Sequence, residues 1–180
     1  MIDIESLQKK LMEKEKQLDS VMLESRKIIR ACSNSIKAIH GKDMDAANKF
    51  LDEAEAGIKK ISKYSDQFPA QVTHMMQEYA EARIVLGAVK DRKIPSSKDL
   101  GVEEIPYILG LLDSVGELKR EMYESLRKGN KKDAELYFKM MEEIYDVLLP
   151  LRFSNAILPE FRRKQDAARH QIEQARGELL

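Results

Sequence analysis

The sequence predicts an all-α protein, an antiparallel bundle of about six or seven helices with a long N-terminal helix. Apolar residues recur at spacings of three and four along most of the 180 residues, the period of a helix with one buried face. Charged residues make up 34% of the chain, tryptophan is absent, and there are only five prolines and eight glycines. With Leu, Ile, Met, Ala, Glu and Lys prominent, this is a composition of helices rather than of a sheet.

The first helix is expected from about Ile4 to His40, where Leu7, Leu11, Leu18, Met22, Ser25, Ile29, Cys32, Ile36 and Ile39 follow one face until "HGKD" ends it. Asp43 is placed to cap a second helix through about Tyr64, with Ala46, Phe50, Ala54, Gly57 and Ile61 on one side, antiparallel to the first. "SDQFP" breaks it, and Pro69 suits the first turn of a third helix reaching about Lys90. The loop "KDRKIPSSKDLG" leads into a fourth helix from Glu103 or Pro106 to Lys128. "KGNKKD" turns the chain into a fifth helix that ends towards Pro150. After "RFSNAILP" a sixth helix is expected from about Glu160 to Leu180, docking weakly or only in an oligomer, because its apolar positions Phe161, Ala168, Ile172 and Ala175 are sparse.

The length suits one domain, residues 1–180, with 1–24 a candidate helical extension or coiled-coil arm and 159–180 a C-terminal helix. Lysine plus arginine and aspartate plus glutamate balance at 31 each, so no global field points to nucleic acid and any polyanion must be held by a local patch. The only cysteine, Cys32, falls on the apolar spacing of its helix and is expected in the core. A disulfide framework and a zinc cluster are thereby excluded. No run approaches the roughly 18 apolar residues of a membrane helix and the N-terminus lacks a signal-peptide pattern, so the expected location is the cytoplasm.

Two acidic pairs interrupt this regular pattern. Glu78 and Glu81 are three residues apart just before the uncharged run Ile84 to Val89, with His74 one turn earlier on the same side. Asp113 and Glu117 are four apart and follow another uncharged run, Ile105 to Leu112. Gly110 and Ser114 lie beside them, where missing bulk admits a neighbouring helix, an ion or a ligand. Isolated acid pairs in a chain this charged are mostly wet surface. Two pairs on facing helices, each abutting a buried segment, would repel one another unless an oxygen-loving divalent cation neutralised them. Spacing alone leaves the ion site and the solvated surface about evenly matched.

The segments "QEYAEA" at Gln77 to Ala82 and "PYILGLLDSVGELKREM" at Pro106 to Met122, in that order on consecutive helices, resemble the translin superfamily, and within it the catalytic branch of the translin-associated factor X type. The likeness is carried by residues from about Ser25 to Leu151. It implies a translin-like helical fold, a homo-oligomeric shell, usually an octamer, that encloses nucleic acid, and a magnesium-dependent ribonuclease, with manganese as an alternative metal. It also implies that Glu78, Glu81, Asp113 and Glu117 are the catalytic and metal-holding residues. Single-stranded RNA is the implied substrate, and single-stranded DNA a second candidate. The arginine and histidine cluster with which translin grips nucleic acid has no counterpart here.

Cations facing the acids would still be needed to bind a strand, and they occur in "SRKIIR", "RKGNKK" and "FRRKQDAAR". Arg26, Arg30 and Lys37 are favoured because their spacing follows a helical stripe, with His74 as a further candidate contact; Lys128, Lys131 and Lys132 sit in a turn, where they neutralise a helix end. His40 and His170 have no evident partner in the sequence. Two other readings use the same acids. A translin-like shell would bind single strands without cutting them, and an all-α nucleoside triphosphate pyrophosphatase would hold magnesium with an ExxE motif, although its second pair is usually ExxD where this chain has DxxxE.

Overall fold

The computed structural model describes Asp3 to Leu179. Seven α-helices account for most of it: α1 Ile4–His40, α2 Met44–Ile61, α3 Pro69–Leu86, α4 Ser97–Leu100, α5 Glu104–Arg127, α6 Lys131–Leu148 and α7 Phe161–Leu179; no strand occurs among the described residues. The all-α bundle with a long first helix is therefore as expected. The differences lie at the ends of elements. The second helix stops at Ile61 and continues as a 3-10 turn, Ser62–Tyr64, and the third stops at Leu86 and relaxes into a π-helical turn, Gly87–Asp91. The short α4, inside the predicted loop, is held by a capping box in which Ser96 and Asp99 bond each other's backbone. The expected end of the last helix, Leu180, and the first two residues of the candidate extension lie outside the described residues.

Caps fix most helix starts. Asp3 accepts from the Ser6 amide, Asp43 from that of Ala46 and Asn130 from that of Asp133, each close to 3 Å, satisfying amides that have no partner within the helix. Between α1 and α2 the chain turns through Lys42 in the left-handed region at φ 63°. The 37 residues of α1 span about 55 Å and the 18 of α2 only about 27 Å. The first turns of α1 are consequently left without a partner helix, and Ile4, Leu7, Leu11 and Met12 are exposed. Further along, Ile28 of α1 and Gly57 of α2 meet so closely that a Cβ on Gly57 would lie 2.6 Å from Ile28 Cγ1.

The core is shared by α1, α2, α3, α5, α6 and α7, with α3 and α5 at its centre: α3 packs on α1, α2 and α5, and α5 on α3, α6 and α7. The expectation that the last helix docks weakly is corrected. Phe161, Ala168, Ile172 and Ala175 are all buried, and α7 lies against both α5 and α6, because small alanines allow close approach with little apolar bulk.

The α3–α5 crossing is the tightest contact that bears on function. A Cβ on Gly110 would stand 2.9 Å from Ala80 Cβ, 3.0 Å from the Glu81 amide nitrogen and 3.1 Å from the Gln77 carbonyl oxygen. Gly110→Ala is therefore expected to destabilise the protein by about 1 to 3 kcal/mol through overpacking against backbone. Gly177→Ala in α7, where an added Cβ meets nothing within 4 Å, should stabilise by up to about 1 kcal/mol from helix propensity. Urea midpoints of the two variants check both signs, and a neutral Gly110→Ala would show that the crossing is loose.

Candidate carboxylate site

Because α3 and α5 cross at Gly110, the residues within two turns of it are brought together. On α3 these are Gln77, Glu78 and Glu81; on α5 they are Asp113 and Glu117. Asp113 is engaged at both oxygens. Gln77 Nε2 donates to Oδ2 at 2.6 Å, and Lys164 Nζ, from the first turn of α7, donates to Oδ1 at 2.5 Å. Glu117 accepts from His40 Nε2 at 2.5 Å, and the other imidazole nitrogen faces Glu121 Oε1 at 2.7 Å. Lys42 completes the partners of Glu121, a carboxylate only 1% exposed.

The stripe Asp113, Glu117, Glu121 on α5 is thus matched by cations from α7 and from the end of α1. The α3 pair is not. No ion pair engages Glu81 among the described residues, and Glu78 has only His74, 3.9 Å away and half exposed. Burial, then the negative charges of Asp113, Glu78 and Glu117, push the Glu81 carboxyl up to about 8. Glu78 is raised for the same reasons, burial first, with His74 and Lys164 opposing. His40 is also raised, though here in favour of the charged form: burial would lower it, but the hydrogen bonds to Glu117 and Glu121 outweigh burial. Cys32 is buried as expected, and its thiol, under burial and the fields of Glu78 and Glu81, is pushed up to about 12, so it serves as inert packing behind the acids.

Each residue singled out in the sequence can now be placed. Glu78, Glu81, Asp113 and Glu117 come together as one group whose charges interact. Ser114 is buried and its hydroxyl donates to the Leu111 carbonyl. Arg26, Arg30 and Lys37 are exposed and free of ion pairs among the described residues. At 100° per residue they fall within about 40° of one another around α1, and about 40 to 80° on from His40, on the side away from the buried residues Ile28, Cys32, Ser35 and Ile39. Lys128 pairs with Glu124 at the end of α5, a helix-end role. The reading of His40 as partnerless is corrected, since it joins two acids. Gln77, Lys164 and Glu121 were also missed as members of the site. Glu121 was within reach, because it extends the four-residue spacing of Asp113 and Glu117; Lys164 lay inside a basic run in which nothing distinguishes it from its neighbours.

Among the described residues, no three His, Cys, Asp or Glu side chains are gathered into a ready-made ion cage. The side-chain partners explain this: Asp113 is turned to Lys164 and Gln77, and Glu117 to His40. The donor set nevertheless fits a hard divalent cation, being all carboxylate oxygen, and Glu81, raised by burial and then by its acidic neighbours, is the group that such a charge would relieve.

Fold and site together define a class, a helical bundle with a carboxylate cluster at the crossing of two of its helices. No protein-family model matches the chain. It is 34% identical over 166 residues to the uncharacterized protein MJ0175 of Methanocaldococcus jannaschii, an alignment covering 90% of this chain and 74% of that protein. Its backbone is similar to that of AfC3PO in a complex with duplex RNA (TM-score 0.89, 27% identity, 99% of this chain and 95% of that one). The likeness extends to AfC3PO alone (TM-score 0.87, 26% identity, 99% and 95%) and to apo-NeC3PO (TM-score 0.85, 25% identity, 99% and 96%). The chain belongs to the translin superfamily, and the likeness spans both chain ends, beyond the segments that carried it in the sequence.

The raised carboxyl of Glu81 has a measurable consequence. Its folded value, about 8, lies above that of an unfolded glutamate, so between those two values the folded state holds a proton that the unfolded state has lost, and stability falls as pH rises. Without divalent ions, thermal melts are expected to be higher near pH 5.5 than near pH 8.5. Glu81→Gln should raise the melting temperature at pH 8.5 and flatten the dependence, leaving the smaller part owed to Glu78. An unchanged slope in that variant would show that Glu81 ionises normally.

Proposed function

We propose that this chain is a metal-dependent endoribonuclease of the translin-associated factor X branch, hydrolysing phosphodiester bonds of single-stranded RNA within a homo-oligomeric shell, an octamer in this reading, in the cytoplasm. The observation that carries the proposal is the gathering of Glu78, Glu81, Asp113 and Glu117 at the α3–α5 crossing, where burial first and then the neighbouring carboxylates push Glu81 up to about 8. Acids held together at that electrostatic cost are what a site for Mg2+, or Mn2+ in its place, would require. RNA as the ligand class is supported by the duplex RNA bound in the AfC3PO complex, and single-stranded DNA is a second candidate ligand. No helix among the described residues is long and apolar enough to cross a membrane.

In this mechanism the four carboxylates hold the cation, which when bound supplies positive charge at the scissile phosphate and acidity to the attacking water. His40 fixes the orientation of Glu117, as Gln77 fixes that of Asp113, so that both carboxylates present a set geometry. One glutamate of the α3 pair accepts the proton that water gives up on forming the new bond to phosphorus. The stripe Arg26, Arg30 and Lys37, with His74 at the rim, follows the phosphate backbone without reading bases.

A second reading, a shell that binds single strands and leaves them intact, is favoured by one observation: Lys164 and Gln77 already satisfy both oxygens of Asp113. A labelled single-stranded RNA, with a DNA of the same sequence, separates the two. Cleavage is expected with Mg2+ and not with chelator. Loss of a partner one step removed from a metal costs about 10- to 100-fold, so Asp113→Asn should cost more than about 100-fold. RNA retained but uncut under all conditions would establish the binding shell, and neither binding nor cutting would turn attention to nucleoside triphosphates.

A further inference from the structure

We infer that Lys164 is a resident cation of the carboxylate site, standing where a second metal ion would otherwise be needed, so that the site takes one divalent cation rather than two. The inference rests on the metal-site reading above and concerns how the positive charge is divided.

Lys164 does not belong to either helix that bears the acids. It is the fourth residue of α7 and lies on that helix's inward face, three residues after the buried Phe161 and four before the buried Ala168, so both anchors hold its backbone against α5. Its side chain is only 16% exposed, and its ammonium is 2.5 Å from Asp113 Oδ1. Its field also reaches Glu78 and Glu81, opposing the rise in both. One ammonium therefore acts on three of the four carboxylates.

The geometry around Asp113 restricts what else can bind there. Two metal ions about 3.5 to 4 Å apart need carboxylate oxygens to be shared between them. Asp113 has one oxygen on Lys164 and the other on the Gln77 amide. Displacing the ammonium would strand a largely buried positive charge, which is costly without another partner of equal strength. Glu78 and Glu81, by contrast, have no lysine or arginine paired with them among the described residues, and they lie at the Asp113 end of the crossing. The charge left uncompensated is on the α3 side, where a single divalent cation would relieve Glu78 and Glu81.

Manganese is a suitable probe because binding is counted by calorimetry and the distance between ions is reported by electron paramagnetic resonance. The full-length native chain is expected to take one Mn2+ per chain with an uncoupled spectrum. Lys164→Gln and Lys164→Met, shown folded by circular dichroism, should take two per chain with exchange-coupled signals. The first ion should bind on the order of tenfold more tightly once the competing charge is removed. Lys164→Arg should remain at one. Two coupled ions in the native chain, or a single ion in both neutral variants, would overturn the inference and leave the metal site standing. Absence of Mn2+ binding in native and variant chains alike would remove the metal site itself, and this inference with it.

Discussion

The close crossing of α3 and α5 at Gly110 is the constraint on which the site depends. A side chain at that position would collide with the Gln77 carbonyl and the Glu81 amide, and moving the helices apart to admit it would separate Glu81 from Asp113. The same contact sets the register, for once Gly110 faces Ala80, helical spacing alone brings Asp113 beside Gln77. A packing requirement of the core and a proximity requirement of the carboxylates are thus met by one missing Cβ, and neither can be relaxed independently.

Charge is then distributed unequally across that crossing. On α5 the acids are matched by cations from outside the crossing: Lys164 on Asp113, His40 between Glu117 and Glu121, Lys42 on Glu121. These contacts also tie α7 and the end of α1 to α5, which helps to explain how α7, with so few apolar residues, is held in place. On α3 nothing comparable is present, and Glu81 bears the result as a raised carboxyl. A structure selected only for stability would have put glutamine or leucine at position 81, since replacing an unpaired buried charge is among the easier ways to gain stability. The imbalance is confined to α3, at Glu78 and Glu81.

Much of this was legible in the sequence, for reasons that differ element by element. Helix α1 could be bounded to the residue because its apolar spacing is regular and "HGKD" is a strong stop. The end of α3 could not, since Gly87–Asp91 continues the apolar run while the backbone opens into a π turn that lets Gly87 pack against Pro95 and Lys93, and periodicity does not record such a change. The four acids were visible because each pair lies on a single helix face, where spacing determines proximity. Their partners were not visible. His40 is 77 residues from Glu117 and Lys164 is 51 from Asp113, and a one-dimensional pattern has no term for a side chain delivered by a third helix. Gln77 stood next to Glu78 in the segment that suggested the family, yet its role depends on where α5 crosses.

Helix α1 carries both a contact to the acids and a separate basic stripe. His40, at its C-terminal end, holds Glu117 from one side of the helix, and a turn of roughly 40 to 80° around the axis leads to Arg26, Lys37 and Arg30. In the reading proposed above, a polyanion drawn to that exposed stripe would still have to approach carboxylates that repel it. Repulsion falls only where a cation covers the acids, and at Asp113 one is already fixed. In the same reading, the ammonium and the exposed stripe would have complementary parts: the stripe would attract a strand over about a Debye length, and Lys164 would reduce the field that it meets at the acids. A bundle with four bare acids would have attracted cations strongly but repelled its substrate. The same bundle with every acid paired would have had no place left for a metal, and between these limits the chain leaves Glu78 and Glu81 as the acids still to be balanced.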